Sequence, residues 1–169
     1  MLRLALARLR HRGRLAVSGR PRLGRGVRFD LAPGALVSLG DGSRVGDGCR
    51  FHLGAGAAVV IGAGARLGER CVVASHERVE IGPGARLDDE VVLIDFDHGI
   101  ADSERPIRLQ NLVTAPVVIG ERAILAAGAT VLRGVVVGAG ARVQSRGLVT
   151  RDVAPGATVG GVPARPVRA

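Results

Sequence analysis

One histidine of the sequence stands where it could do chemistry. His98 lies in the run DFDHG, next to Asp97 and three residues after Asp95. An imidazole, whose ordinary pKa is near neutrality, can take the proton of a hydroxyl while that hydroxyl attacks. One ring nitrogen takes the proton and the other needs an acceptor, for which Asp95, Asp97 and a loop carbonyl are all candidates. The simpler interpretation is an exposed loop histidine without a role.

The other reactive side chains give weaker indications. His11 lies in a basic segment, and His52 and His76 lie near predicted corners, where we expect them to be solvated. Cys49 and Cys71 have neither CxxC nor zinc spacing, and the histidines lack the close pairing that zinc sites use. The sequence therefore predicts no metal site.

A six-residue period organises the second half of the chain. Between 117 and 153 every sixth residue is aliphatic, and the residue four places later is apolar and small or medium-sized. The aliphatic positions are Ile119, Leu125, Val131, Val137, Val143 and Val149. This period fits neither an amphipathic helix nor an alternating strand, but it is typical of a parallel β-helix in which three hexapeptides close one coil. We expect the aliphatic residues to fill the narrow interior and the small residues to form the corners.

The same repeat indicates where the DHG segment must lie. Equivalent positions up to Ile119 are separated by 22, 20 and 38 residues, against 18 for a plain coil. The two shorter intervals predict extra residues at one corner, near 57–60 and 78–80. The longest interval contains a coil and a polar insertion at about 94–116, which carries two prolines and no period of six. A loop of this length is usually functional or disordered.

The chain before the repeats is basic. Residues 2 to about 12 have helical spacing, with Leu2, Leu6 and Leu9 on one face and arginines on another. A helix here could cap the open end of the β-helix, or it could lie on an anionic membrane, and both interpretations remain open. The predicted domains are a basic helix and linker at 1–26 and a β-helix domain at 27–169, which ends in a tail at 154–169.

Composition narrows the class of protein. The net charge of +9 favours an anionic ligand or surface. Nucleic acid is disfavoured because no recognition motif is present and aromatic residues make up only 2% of the chain. The sequence shows no apolar run long enough to span a membrane and no secretory signal pattern, so we expect a cytoplasmic protein.

The repeat also places the two cysteines. Cys49 and Cys71 fall at the same corner of successive coils, which predicts stacked, buried and reduced thiols.

Several motifs together resemble one family. The hexapeptide repeats, the DHG loop, the RPI at Arg105 and the ending VTRDVAPGATVGGVPARPVR resemble the hexapeptide-repeat acyltransferases. Within that family the chain is most similar to the sugar and surface-polysaccharide O-acetyltransferases related to maltose and galactoside acetyltransferase. The resemblance covers about 27–168. It implies an all-β fold, a left-handed parallel β-helix with a short N-terminal helix and one long inserted loop. It also implies a homotrimer with active sites between subunits and acetyl-CoA as the acyl donor.

The resemblance also implies roles for individual residues. His98 would be the base that deprotonates a sugar hydroxyl, with Asp95, Asp97 or a carbonyl orienting it. The cofactor positions that it implies are Ala127, Ser145 and Gly147 along the pantetheine, and Thr150, Arg151 and Arg165 toward the nucleotide. The chain departs from the family at Ile124, where a tryptophan usually forms a wall of the active site, and at Arg146 in the cofactor groove.

The sequence thus predicts an acyl-CoA-dependent O-acyltransferase, with acetyl as the expected acyl group. Its acceptor would be a sugar hydroxyl of a surface glycan or of a glycan precursor. The alternative is a β-helix trimer that has lost catalysis and serves as a structural or binding protein. A metal-dependent hydratase on the same fold is disfavoured, because its close histidine pair is missing.

Overall fold

The computed structural model describes residues 2–11, 13–99, 104, 106 and 110–167. One short helix, α1 (Leu2–Arg10), precedes a chain of short parallel strands that wind around a common interior. Successive strands fall in turn on three parallel sheets, and each sheet forms one side of the coil. The chain is therefore a parallel β-helix, as the six-residue period predicts.

The three sheets are called A, B and C here, and each forms one side of the coil. Sheet A contains β1 (Leu15–Val17), β4 (Leu36–Leu39), β7 (Ala58–Ile61), β10 (Arg78–Ile81), β15 (Val117–Ile119) and β18 (Val136–Val137). Sheet B contains β2 (Arg22–Leu23), β5 (Arg44–Val45), β8 (Arg66–Leu67), β11 (Arg86–Leu87), β16 (Ile124–Leu125), β19 (Arg142–Val143), β21 (Thr158–Gly161) and β22 (Ala164–Pro166). Sheet C contains β3 (Arg28–Leu31), β6 (Arg50–Leu53), β9 (Val72–Ser75), β12 (Val92–Ile94), β17 (Thr130–Val131) and β20 (Leu148–Val149).

The interior is a thin column of aliphatic side chains. The predicted inward positions Ile119, Leu125, Val131, Val137, Val143 and Val149 are all buried. Small residues close the corners, and Ala123, Ala129 and Ala141 are fully buried there. Glycine is required where one coil stacks on the next, because a Cβ on Gly120 would lie 2.6 Å from the backbone N of Ala139. The repeat sequence therefore specifies both the filling of the interior and the close stacking of coils.

One corner, between sheets C and A, carries all the departures from a plain coil. The strands on either side of it, such as β6 and β7, are four residues long instead of two. The predicted extra residues at 57–60 and 78–80 lie at this corner and in the sheet A strands that follow it. The long insertion leaves from the same corner, and the ladder resumes directly after it, since Val79 pairs with Val117. The insertion therefore interrupts the corner without disturbing the coil.

Helix α1 packs on the first coil through part of its apolar surface. Leu4 and Ala7 pack against the core, whereas Leu6 and Leu9 are 56% and 59% exposed. The helix is therefore oriented with its smaller apolar residues toward the core, and Leu6 and Leu9 stay largely exposed. None of the described helices is long and apolar enough to cross a membrane.

The two cysteines lie at one corner of successive coils, as the repeat predicts. Both are buried and free, and Arg50 pairs with Val72 directly beside them. The Cys49 Sγ donates to the carbonyl of Gly68 at 3.1 Å, and the Cys71 Sγ donates to that of Asp88 at 3.2 Å. A hydrogen bond with Cys71, followed by burial, raises the pKa of the Cys49 thiol above its ordinary value. The Cys49 thiol is therefore held in its protonated form, and both cysteines are buried, reduced residues of the core.

Candidate active site

The insertion begins as a two-stranded hairpin that stands on the corner between sheets C and A. Its strands, β13 (Phe96–His98) and β14 (Leu112–Thr114), are antiparallel, and His98 pairs with Leu112. The hairpin is closed at its base by the Ala115 N–H, which donates to the Asp95 carbonyl at 2.9 Å. At its other end the Gly99 N–H donates to the Asn111 carbonyl at 3.0 Å. His98 is thus held on regular structure, away from the coil.

Asp95 anchors this hairpin to the preceding coil. Its carboxylate is fully buried and accepts hydrogen bonds from the Ser75 hydroxyl at 2.5 Å, the His76 N–H at 2.7 Å and the Glu77 N–H at 3.0 Å. Both carboxylate oxygens are therefore occupied by one corner of the coil below. The expectation that Asp95 could orient the imidazole of His98 does not match these contacts, because the carboxylate points into the coil.

An aromatic contact supports the same junction. The rings of His76 and Phe96 meet edge to face, with their centroids 4.3 Å apart, and both residues are half-buried. The His76 ring lies over Gly54, where a Cβ would collide with it. His76 was expected to be solvated like His52, but the hairpin strand stacks on it. Sequence periodicity could not reveal this contact, because Phe96 belongs to the insertion and has no place in the repeat.

His98 itself is exposed on the hairpin. Its backbone N–H donates to the Asp97 Oδ1 at 2.8 Å, and Asp97 is exposed as well. The Asp97 carboxylate thus holds the backbone at His98. An exposed imidazole on an anchored hairpin can meet a bound hydroxyl, which is the geometry a general base needs.

The residues implied for coenzyme A form two separate groups. Ala127 and Ser145 are exposed at the corner between sheets B and C, one coil apart, while Gly147 at the same corner is buried. The Arg146 N–H joins the two coils by donating to the Ala127 carbonyl at 2.9 Å. Arg146 also makes the turn in the left-handed region, with φ of 57°, a conformation that usually favours glycine.

The second group lies near the end of the β-helix. Thr150 and Arg151 are exposed at the corner between sheets C and A, the same corner that carries the hairpin. Arg165 lies on β22, which pairs antiparallel with β21 at the edge of sheet B. A single chain therefore places the implied cofactor residues at different corners. Arg105, which contributed to the family resemblance, lies outside the described residues.

The described part of the chain contains no cluster of three or more histidine, cysteine or carboxylate side chains arranged to hold a metal ion. Two carboxylates lie at the hairpin base: the buried Asp95, whose oxygens both accept hydrogen bonds, and the exposed Glu77, whose N–H is one of the donors. The side chain described on the hairpin that is suited to proton transfer is therefore the exposed imidazole of His98.

Comparison with known proteins agrees with the resemblance. No protein-family model matches the chain. Over 103 residues, or 57% of the chain, it is 29% identical to WbbJ of Escherichia coli (strain K12), a protein named for O-acetyl transfer in lipopolysaccharide biosynthesis. That match covers 53% of WbbJ, and the chain spans between 32% and 53% of the length of the curated relatives it matches.

Solved structures show the same fold. A variant of AntD, an N-acyltransferase from Bacillus cereus in complex with dTDP-4-amino-4,6-dideoxyglucose and coenzyme A, superposes with a TM-score of 0.79 at 18% identity. That match covers 97% of this chain and 88% of AntD. A hexapeptide-repeat acetyltransferase from Vibrio cholerae O1 biovar eltor, complexed with acetyl-CoA, gives 0.65 at 21% identity over 86% and 71% of the two chains. The fold is therefore the left-handed parallel β-helix of these enzymes, as the resemblance to the hexapeptide-repeat acyltransferases implies.

Proposed function

We propose that the chain is an acyl-CoA-dependent O-acyltransferase that moves an acetyl group to a sugar hydroxyl of a surface glycan or its precursor. The observation that carries this proposal is the exposed His98 on a hairpin anchored by the buried Asp95. Coenzyme A is bound by both structural neighbours, and lipopolysaccharide biosynthesis is part of the name of the relative WbbJ. Free, buried thiols at Cys49 and Cys71 fit a reducing cytoplasm.

The proposed reaction uses the imidazole of His98 twice. A ring nitrogen takes the proton of the acceptor hydroxyl as its oxygen attacks the thioester carbonyl, giving a tetrahedral intermediate. Collapse of the intermediate breaks the C–S bond and transfers the acyl group, and the imidazolium returns its proton to the departing thiolate. Asp97 contributes by holding the backbone at His98, whereas Asp95 holds the base of the hairpin.

The coenzyme site is proposed to lie between copies of the chain. Ala127, Ser145 and Gly147 lie at one corner and His98 at another, so one chain does not assemble both halves. A neighbouring copy that presents its corner between sheets B and C to the hairpin would bring the thioester to the imidazole. In this arrangement Thr150, Arg151 and Arg165 are the candidates for the nucleotide end, where guanidinium groups can pair with phosphates.

The outer faces of sheets A and C are favoured for this assembly. The outward residues of sheet C from β9 onward are uncharged and half-buried, and they include Val72, Val92, Thr130 and Leu148. The outward residues of sheet A include Leu36 and Val136, which are 49% and 43% exposed, and the half-buried Val60 and Val118. The outward residues of sheet B instead include five exposed arginines in register, interrupted once by Ile124: Arg22, Arg44, Arg66, Arg86 and Arg142. A second copy can cover an apolar face, whereas two arginine rows would repel one another.

We therefore expect a homotrimer in solution, because the flat apolar sides of a thin β-helix need to be covered and three-fold symmetry allows each copy to use two of them. Light scattering at micromolar concentration should give three times the chain mass. A monomer at that concentration would contradict both the assembly and the shared site.

The catalytic proposal is tested by thiol release. The protein, mixed with acetyl-CoA and a panel of sugars, should release free coenzyme A only when a suitable acceptor is present. If no sugar or glycan precursor accelerates release above the rate with acetyl-CoA alone, the alternative of a catalytically inactive β-helix trimer that acts as a structural or binding protein replaces the enzyme.

A further inference from the structure

The positive charge of the protein is concentrated at one end of the coil. Nine of its 24 arginines and none of its 15 carboxylates lie in residues 1–29. The remaining residues carry fifteen arginines and fifteen carboxylates, so the whole net charge of +9 belongs to this segment. The segment consists of α1 and most of the first coil, and it therefore makes one end of the β-helix cationic.

Helix α1 leaves both charge and apolar surface exposed. Arg3, Arg8 and Arg10 are exposed, and so are the large side chains of Leu6 and Leu9. The helix packs through the smaller stripe at Leu4 and Ala7 instead. A helix that only closed a coil would bury its largest apolar residues, so the exposed leucines require a different explanation.

A cleft beside the helix continues the cationic surface. It has a volume of about 680 Å³ and lies between α1 and the first coil. Arg3, Arg10, Arg25 and Arg28 line it, and Asp30 is the single carboxylate among its lining residues. The cleft can therefore accept anionic groups such as phosphates, next to apolar side chains that include Leu6.

We propose that this end of the protein docks on an anionic lipid bilayer, with Leu6 and Leu9 entering the interface and the arginines binding lipid phosphates. Exposed leucines interspersed with arginines on one short helix suit a bilayer surface, which offers both an apolar layer and negative charge. A soluble polyanion would use the arginines but would leave the leucines in water.

The proposed trimer strengthens this contact without being required for it. If the three-fold axis runs along the coils, all three α1 helices lie at the same end and can meet one flat membrane together. Linked contacts of this kind raise the apparent affinity well above that of one helix. Membrane docking is independent of the catalytic proposal, since none of the residues involved is part of the candidate active site.

Sedimentation with vesicles tests this proposal. The protein should bind vesicles of phosphatidylcholine mixed with phosphatidylglycerol and should stay in solution with phosphatidylcholine alone. The triple variant Arg3→Gln, Arg8→Gln, Arg10→Gln keeps good helix-forming residues and should weaken binding about 100-fold. The matched control Arg66→Gln, Arg86→Gln, Arg142→Gln removes the same charge from the outer face of sheet B and should change binding little.

A second pair of changes separates a bilayer from a soluble polyanion. Leu6→Ser with Leu9→Ser should weaken vesicle binding about 10-fold and leave binding to polyphosphate unchanged. Absence of binding to the anionic vesicles would overturn the proposal, as would an equal loss in the sheet B control. Vesicle binding that is indifferent to the two leucines would also overturn it, in favour of a purely electrostatic contact with any polyanion.

Discussion

Replacing His98 with alanine should lower the rate of acyl transfer by about 10²–10⁴-fold, the usual contribution of a positioned general base. The loss should appear in kcat, because the imidazole acts on the proton that moves during attack. Thermal stability and the oligomeric state should stay nearly unchanged, since His98 is exposed and supports little packing. The measurement is steady-state thiol release with a saturating acceptor.

A second histidine variant serves as the control for a general effect of removing a histidine. His52 is also exposed and lies on sheet C, where its Nδ1 is 3.9 Å from the Asp30 carboxylate. His52→Ala should therefore retain its activity. Full activity in His98→Ala would remove His98 as the base, and loss of the oligomer together with activity would assign it a structural role.

Replacing Asp95 with alanine should destabilise the protein by about 2–4 kcal/mol, because a buried hydroxyl and two backbone N–H groups lose their acceptor. For a chain of this size we expect the melting temperature to fall by about 10 °C. The hairpin should also loosen at its base, so turnover should fall even below the melting transition. Thermal unfolding followed by calorimetry measures the first effect.

The comparison for Asp95 is Asp30→Ala. Asp30 has an exposed side chain on β3 of sheet C, and its contact with the His52 Nδ1 is long, at 3.9 Å. Its removal should change the stability by less than about 0.5 kcal/mol. Equal stabilities for the Asp95 and Asp30 variants would show that Asp95 does not anchor the hairpin.

The coil could be predicted from the sequence because its cause is local. The six-residue period shows which residues point inward. The spacings between equivalent repeat positions up to Ile119 locate the corner that carries the insertion. The same count places Cys49 and Cys71 one above the other. These features depend only on spacing along the chain, since each coil contacts the next in a fixed register.

The site was less predictable because its contacts cross between coils outside the repeat. Asp95 could be identified as a carboxylate near His98, but its partners at Ser75, His76 and Glu77 appear only when one coil is stacked on another. The orientation of α1 could not be predicted for a related reason. A helical pattern shows which residues share a face, but it does not show which face meets the coil.

The most direct test of the central claim is the product itself. The acceptor identified by thiol release should be analysed by mass spectrometry after incubation with acetyl-CoA, before and after mild alkali. We expect one added acetyl group that alkali removes, because an ester of a sugar hydroxyl hydrolyses readily, and we expect none with His98→Ala. An alkali-stable amide would instead indicate transfer to an amine, as the name N-acyltransferase describes for AntD. That outcome, or the absence of any acetylated product, would contradict the assignment as an O-acetyltransferase.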